Sequence, residues 1–510
     1  VTALESLRAI AAGPPLRNDV IFVFSDAEEE GDLGAAAFVE DHPWIDDARL
    51  AINYEAQGSS GPTFLYATSE QDGWIVSEFF DIAPHVSAYS WIGAIIEVYP
   101  SGQLDCDLAE YLKRDIQGLG FVYTGDTVDY HTLGDSVENI DPGSIQQEGG
   151  YTVAFLRHFG EVPINELPRA ENQVFFNVLP GQVVHYGYSW ATVFAGVVSL
   201  LAMGLIIVGV RREQLEVKLV AGAFGAAAVG ALLAVGLAAL AWFGIRSANP
   251  AYDVVLIGHY QTGTFTVAFV ALSVALVGVF HVLARRLGNE NLMAGVVLVW
   301  LPLLWLLTLT LPAMSYIATW PLAFALVPLG WLVFDRAESG WWFVSALAIG
   351  AIPTIVLMPA TLYQVVGLIN RFEGALGLPI FGAMTLFVIP WLLLLLPHYE
   401  ALSGDDGEHR WWVPAASAVV AISLIGWANI TFEYSAEQPR PNHIAYALDA
   451  DSGDATWVSY DHQLDHWTAA FVGEEATKGP YETAAWGTFQ AFTADAPAVG
   501  LAAVAARPAA

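Results

Sequence analysis

The chain has 510 residues, of which 55% are hydrophobic and only 14% are charged. Its 52 acidic residues outnumber its 19 lysines and arginines, and the formal net charge is −33. This charge excludes a nucleic-acid-binding protein, which needs a basic surface for phosphate. An acidic, lysine-poor exterior predicts a halophilic source, with an ordinary acidic protein as the alternative. The single cysteine excludes an intrachain disulfide and a thiolate metal site.

Polar and apolar residues divide the chain into three predicted domains. Residues 1–187 mix apolar and acidic positions, residues 188–431 are almost continuously apolar, and residues 432–510 return to a polar composition rich in aspartate. The apolar block is too long to be the core of a soluble domain. We therefore predict an all-α membrane domain, with the lipid bilayer as its partner, between two water-facing domains.

The first domain alternates predicted helices and strands. Residues 1–12 and 32–41 have helical patterns, whereas the run VIFVF within 19–25 is typical of a strand buried on both faces. Further strands are predicted at 49–54 and in GLGFVY, which ends at Tyr123. This alternation predicts an α/β domain in which helices cover the faces of a sheet.

Acidic side chains follow two of these predicted strands. The triplet EEE at 28–30 follows VIFVF, Glu55 follows the next strand, and His131 comes after the third. Because parallel strands of one sheet end at the same edge, we expect these side chains to converge there. Carboxylates with an imidazole suit zinc, and a carboxylate left off the metal can accept a proton from water. Solvated acids at loop tips are the alternative in so acidic a chain.

The apolar block predicts about eight transmembrane helices of roughly 20 residues each. Tryptophan and tyrosine lie at many of their ends, as is usual at a membrane interface. His281, near the end of the third span, is interpreted as interfacial, and without a buried ion pair a transporter is not favoured. The predicted spans are 188–210, 218–245, 263–284, 291–312, 314–334, 341–368, 375–397 and 411–431.

Basic residues predict the orientation of these spans. Only Arg246 and Arg371 flank the loops after even-numbered spans, whereas seven basic residues follow the odd-numbered ones. The positive-inside rule places the larger set in the cytoplasm. An even number of spans then puts both water-facing domains on the extracytoplasmic face of the cell membrane. The larger set comprises Arg211, Arg212, Lys218, Arg285, Arg286, Arg336 and Arg410.

The last domain is predicted to be small and β-rich. NHIAYALDADSGDATWVSYD alternates apolar and polar residues around an acidic segment, which indicates a hairpin. Aromatic residues further along favour a β-sandwich. The acidic segment lacks the rest of a calcium-binding loop and is interpreted as a plain turn.

Three segments, in order, resemble the di-zinc exopeptidases typified by aminopeptidase Y and bacterial leucyl aminopeptidase. SDAEEEGDLGAAAF resembles their DGEE-x-G-x-x-G signature, and NYEAQGSSGP and DYHTLGDSVENID resemble two later metal-binding segments. EDHPW and the eight predicted spans are similar to the membrane-bound branch, which includes the endoplasmic reticulum metallopeptidase. The resemblance extends over residues 1–160 and implies an α/β zinc-exopeptidase domain with a mixed sheet flanked by helices.

The resemblance also implies roles for five residues. Glu28 matches the general base, and Tyr130 matches the phenol that polarises the scissile carbonyl. Glu29 and His131 match ligands of one zinc ion, and Glu55 matches a ligand of the other. Two zinc ions per complete site are therefore the implied cofactors, and a peptide is the implied substrate.

The family's motif includes two further ligands that precede the matched segments. A histidine in an H-x-D motif and a bridging aspartate would lie upstream of the helix that begins this sequence. We therefore expect an amino-terminally truncated domain with one ligand for the first zinc and two for the second. Because catalytic zinc normally has three protein ligands, this fragment is expected to bind metal weakly and to be inactive.

The predicted function is that of a membrane-anchored zinc-dependent exopeptidase, specifically an aminopeptidase. One alternative is a non-catalytic outer domain that binds peptides on a membrane scaffold. Another is a glutaminyl cyclase-like activity, which related sheets with similar ligands also host. The sequence does not indicate the oligomeric state or the preferred substrate.

Overall fold

A computed structural model gives the fold of the chain. Glu30, the third of the consecutive glutamates, and Arg336 lie outside the residues that it describes. The described residues are 1–29, 31–98, 106–253, 259–334, 340–376, 380–403, 409–449, 452–461, 463–483 and 487–497.

The region before the membrane helices is a mixed α/β domain, as the predicted fold class requires. Its helices are α1 (Thr2–Ala11), α2 (Leu33–Asp41), α3 (Gly73–Ile82), α4 (Trp91–Val98), α5 (Leu108–Lys113) and α6 (Pro142–Phe159). Its strands are β1 (Leu50–Ala56), β2 (Phe64–Thr68), β3 (Gln117–Tyr123), β4 (Gln173–Leu179) and β5 (Gln182–Gly187).

Strand β3 is the centre of a three-stranded sheet. It runs parallel to β1 and antiparallel to β2, and all seven of its residues are buried. Helices α3 and α6 cover one face, where Phe79, Phe121 and Tyr151 have ring centroids 5.1 to 5.6 Å apart. Aromatic packing of this kind contributes to stability beyond the buried area. The parallel pairing brings the carboxyl ends of β1 and β3 to one edge of the sheet.

The apolar run VIFVF is not a strand, so that prediction is wrong. Residues 19–25 are irregular in the structure, none of them is fully buried, and Phe24 is 60% exposed. Val20 and Phe22 nevertheless contact the domain core. Apolar character favours a strand, but a strand also needs a neighbour for its backbone hydrogen bonds. Within the described part of the chain, no strand pairs with this segment.

The apolar block folds into a bundle of long helices. By length and composition, seven helices within the described residues can cross a membrane, or eight if the pair α13–α14, bent by 65°, forms one broken span. This agrees with the prediction of about eight spans. The helices are α7 (Tyr188–Arg211), α8 (Val217–Ala248), α9 (Thr262–Ala284), α10 (Asn289–Thr310), α11 (Ser315–Phe334), α12 (Trp341–Leu376), α13 (Ile380–Leu393), α14 (Leu396–Ser403) and α15 (Trp412–Thr431).

The bundle contains a partly buried cluster of His281, Glu400 and Arg285 that was not predicted. His281 is 2% exposed, and its Nε2 lies 3.1 Å from Glu400 Oε2. Arg285 Nη2 donates to the other oxygen of Glu400 at 3.0 Å. His281 therefore lies inside the protein, and its position at a membrane interface stays a prediction. Charges within a membrane bundle are tolerated when they are paired in this way.

The described residues after the membrane helices form one sheet and one helix. Strands β6 (Ala445–Leu448), β7 (Ala455–Ser459), β8 (Gly479–Thr483) and β9 (Gly487–Ala496) are antiparallel in the order β6-β7-β9-β8, and helix α16 is His466–Val472. The predicted hairpin is confirmed as β6–β7. The predicted sandwich is not: among the described residues, α16 forms the second layer, with Trp457 and Phe471 rings 4.9 Å apart.

Both water-facing regions pack against the same end of the bundle. Ser90 of the first region donates to the Ala313 carbonyl, between α10 and α11, at 2.8 Å. Phe432, which follows α15, stacks on Tyr252 at 5.0 Å. Tyr252 lies between α8 and α9, and α8 and α10 end on the same side of the bundle. We call this end of the bundle the junction end.

Candidate metal centre

The glutamates lie on a tight turn before α2. The Glu28 carbonyl accepts hydrogen bonds from the Gly31 and Asp32 amides at 2.9 and 2.8 Å. Gly34 N donates to the Asp26 carbonyl at 2.9 Å. A Cβ on Gly34 would lie 2.4 Å from that carbonyl oxygen, so only glycine allows this approach. The turn leaves Glu28 half-buried and exposes Glu29.

The loop after β3 carries the candidate phenol and imidazole. Its backbone is in the left-handed region at Asp126 (φ 49°) and at His131 (φ 57°). Asp126 and Asp129 each accept a hydrogen bond of 2.6 Å, from Ser60 and Ser59 respectively. These two serines directly follow β1 in the segment QGSSGP, so the ends of the two parallel strands are tied together. Non-glycine residues with positive φ occur most often where surrounding contacts hold them.

The turn and the loop bring Glu29 and His131 into contact. His131 Nε2 lies 2.5 Å from Glu29 Oε1, and the two side chains are 30% and 51% exposed. The Tyr130 ring stacks on the His131 imidazole at 3.8 Å with an interplanar angle of 22°. Residues separated by 102 positions thus present a carboxylate, an imidazole and a phenol at one solvent-accessible point.

The donor set of Glu29 and His131 fits a metal such as zinc. A tetrahedral zinc about 2.0 to 2.1 Å from each ligand atom requires those atoms to lie about 3.3 Å apart. Their separation of 2.5 Å would have to widen by less than about 1 Å, which two partly exposed side chains achieve by small rotations. Among the described residues, no group of three or more His, Cys, Asp or Glu side chains is arranged to hold a metal ion.

Glu55 is at the end of β1, next to β3, but the structure does not add it to a three-residue cluster with Glu29 and His131. Its Oε1 accepts a hydrogen bond from Asn53 Nδ2 at 2.7 Å. Burial, to which the charge of Glu55 adds, raises the pKa of the Cys106 thiol to about 12. The role of Glu55 as a metal ligand stays a prediction.

A histidine from the distant carboxyl-terminal region lies near the loop. Burial, together with the proximity of His131, lowers the pKa of His443 to about 4. The His443 ring stacks on Tyr460 at 3.6 Å, and its backbone N–H donates to Asp461 at 2.7 Å. Sequence reasoning missed this proximity, because no local signal connects residues more than 300 positions apart.

The α/β region matches a metallopeptidase family in sequence and is joined to helices that are long and apolar enough to cross a membrane. Peptidase family M28 matches residues 1–156. The chain is 32% identical over 190 residues to endoplasmic reticulum metallopeptidase 1 of Mus musculus and to that of Homo sapiens, and each match covers 36% of this chain and 21% of the relative. It is 28% identical over 196 residues to a vacuolar membrane protease of Candida albicans, covering 35% of this chain and 22% of the relative.

These matches confirm the resemblance to membrane-bound metallopeptidases of family M28, which implies a metal cofactor. The chain spans between a fifth and a quarter of the length of these relatives. No solved structure matches the chain. The resemblance therefore rests on the amino-terminal α/β region, and the activity of the whole protein is a matter for proposal.

Proposed function

We propose that the full-length protein is a membrane-anchored zinc aminopeptidase that hydrolyses peptides. The observation that supports this function best is the contact between Glu29 and His131, with Glu28 on the same turn and Tyr130 stacked on the imidazole. Adjacent glutamates on a tight turn point in different directions. One carboxylate can then hold a metal while the other faces the reacting water.

Glu29 and His131 would hold one zinc ion, and Glu55 would be a ligand of a second. Zinc bound here supplies a Lewis acid that polarises a peptide carbonyl and acidifies water. Glu28 accepts the proton of the attacking water and later passes it to the leaving amine. Tyr130 donates its phenolic hydrogen bond to the oxygen on which negative charge develops.

The local charge favours a substrate with a free amino terminus. Asp126, Asp129 and Glu55 lie around the ends of β1 and β3, and the described part of this loop carries no lysine or arginine between residues 124 and 139. A protonated amine is attracted to such a surface, whereas a substrate carboxylate is repelled. This sign of charge supports an aminopeptidase rather than a carboxypeptidase.

The experiment compares Glu28→Gln with Glu29→Gln in the full-length protein. Glu28→Gln keeps size and hydrogen bonding but cannot accept a proton, so kcat should fall by about 10² to 10⁴-fold while zinc content stays near normal. Glu29→Gln removes a charged ligand and should lose zinc. Glu40→Gln, an exposed residue on α2, is the matched control and should change neither. Zinc is measured by elemental analysis and kcat with aminoacyl and amino-blocked peptides.

Three outcomes would contradict the proposal. Equal zinc loss in both variants would show that the glutamates do not divide the roles of base and ligand. Zinc binding without hydrolysis of either peptide type would favour the peptide-binding scaffold instead. Release of a cyclised amino-terminal glutamine, without peptide hydrolysis, would favour the cyclase alternative.

A further inference from the structure

We propose that the membrane helix α12 is a positioning element of the metal centre. Its residues 363–367, which we call the contact segment, lie against the loop that carries Tyr130 and His131. This inference rests on the proposed function and assigns the membrane block a role beyond anchoring. The contact segment would act through the loop, so its residues are positioning rather than catalytic residues.

The loop that carries Tyr130 and His131 needs support from outside itself. It begins at Thr124 and contains two non-glycine residues with positive φ, Asp126 and His131. Such backbone conformations cost on the order of 1 kcal/mol or more each and persist only where neighbouring contacts hold them. The serine hydrogen bonds from the β1 side hold one face of the loop. The contact segment lies against the start of the loop.

Two glycines show how closely α12 approaches the loop that carries Tyr130 and His131. A Cβ on Gly367 of α12 would lie 2.5 Å from Thr124 Oγ1 and 2.9 Å from Thr124 Cβ. A Cβ on Gly61, in the turn beside the loop, would lie 2.0 Å from the Tyr363 hydroxyl of α12 and 3.3 Å from Gly125 N. Helix, turn and loop are therefore in direct contact at Thr124 and Gly125. Tyr363 is also within electrostatic reach of Asp126.

A buried hydrogen bond fixes the position of α12 along its axis relative to the α/β domain. Trp91 Nε1, on α4, donates to Gln364 Oε1 at 2.6 Å, and both side chains are only 2% exposed. A buried bond of this kind is costly to break, because each partner would be left without hydrogen bonds. Gln364 lies between Tyr363 and Gly367, so the contact segment is held against the domain in one register.

A second membrane loop lies near Asp129 and contacts the carboxyl-terminal region. Tyr260, which precedes α9, donates its hydroxyl to the Pro439 carbonyl at 2.8 Å. Burial, with a smaller contribution from the charge of Asp129, raises the pKa of Tyr260. A shift of the contact segment would displace Thr124 and Gly125, at the start of the loop that carries Tyr130 and His131.

The test is Gly367→Ala in the full-length protein in lipid nanodiscs. The added methyl group must move Thr124 or α12 by about 1 Å to reach an ordinary van der Waals distance, and misplacement on this scale costs about 10²-fold in rate. We expect kcat to fall by about 10 to 100-fold, KM to change by less than about threefold, and zinc affinity to fall by about tenfold. Gly426→Ala on α15 is the control, because no atom lies within 4 Å of its added methyl group.

Tyr363→Phe keeps the inference testable if Gly367→Ala does not fold. It removes only the hydroxyl over Gly61 and should lower kcat by about 3 to 10-fold without a change in thermal stability. A purely structural role would instead lower the melting temperature and leave kcat per folded, zinc-loaded molecule unchanged. Equal kcat and zinc affinity in Gly367→Ala, Tyr363→Phe and Gly426→Ala would overturn the inference. If Glu28→Gln is fully active in the same assay, the proposed function fails instead.

Discussion

The buried carboxyl group of Glu148 makes the stability of the α/β domain depend on pH. Glu148 lies on α6, is 4% exposed and accepts a hydrogen bond from the Thr2 hydroxyl at 2.9 Å. Burial raises the pKa of this carboxyl from 4.5 to about 7, and the bond from Thr2 opposes this only in part. The protonated form is therefore favoured by folding.

The size of this effect on the free energy of unfolding follows from the difference between the folded and unfolded pKa values of Glu148. A rise from 4.5 to about 7 corresponds to about 3 kcal/mol at 1.36 kcal/mol per pKa unit. The pKa of Glu148 is higher in the folded state than in the unfolded state. The stability that protonated Glu148 contributes is therefore fully present below about pH 4.5 and is lost as the pH rises through about 7. Glu148→Gln has a neutral side chain of the same size. It should therefore be more stable than the parent at pH 8, by up to about 3 kcal/mol, and should show no gain at pH 4.5.

The assay is urea unfolding of the α/β domain in nanodiscs, followed by tryptophan fluorescence between pH 4.5 and 8. The difference between Glu148→Gln and the parent isolates this one group from all others that titrate. Glu138→Gln, an exposed residue, should show a pH-independent difference close to zero. A gain for Glu148→Gln that is equally large at pH 4.5 and at pH 8 would refute the reasoning, because a packing effect does not depend on protonation.

Two further predictions concern the turn and the topology. Gly34→Ala places a methyl group 2.4 Å from the Asp26 carbonyl oxygen and should lower zinc affinity by about tenfold, as measured by chelator competition. Gly149→Ala on α6 is the control, because its added methyl group has no neighbouring atom within 4 Å, and it should bind zinc like the parent. Equal affinities would show that the turn does not position Glu29. In a Cys106→Ala background, an impermeant maleimide added to intact cells should label Ser452→Cys but not Arg212→Cys, and the reverse would overturn the extracytoplasmic orientation.

Patterns with a local cause were predictable from the sequence. The spans follow from length and hydropathy, α2 follows from its helical pattern, and β1 and β3 follow from short runs rich in apolar residues. The proximity of Glu29 and His131 was expected from motif order, whereas the rule that parallel strands end at one edge applies only to β1 and β3, which carry Glu55 and the loop of His131. These inferences depend on residues that are neighbours in sequence, or on connections that a sheet imposes.

Features that arise only from tertiary pairing were not predictable. VIFVF has the composition of a buried strand, but whether it pairs depends on a neighbour elsewhere in the chain. The contact of His281 with Glu400 was not predictable because Glu400 is more than 100 positions away in the sequence. It lies on α14, which is bent by 65° relative to α13. The nearness of His443 to His131 and the fit of Gly367 against Thr124 likewise depend on how the membrane helices place distant segments.

The strained loop explains why the water-facing and membrane parts are in such close contact. His131 and Asp126 adopt a backbone conformation that an isolated loop would leave, since L-residues favour negative φ. Contacts from β1, from the turn at Gly61 and from α12 together resist that relaxation. Removing any one of them should therefore affect the site more than the stability of the whole domain, whose core lies between the sheet, α3 and α6. A larger effect on the site than on domain stability would therefore indicate that the membrane block positions the site, whereas a membrane block that only anchors the domain would not produce it.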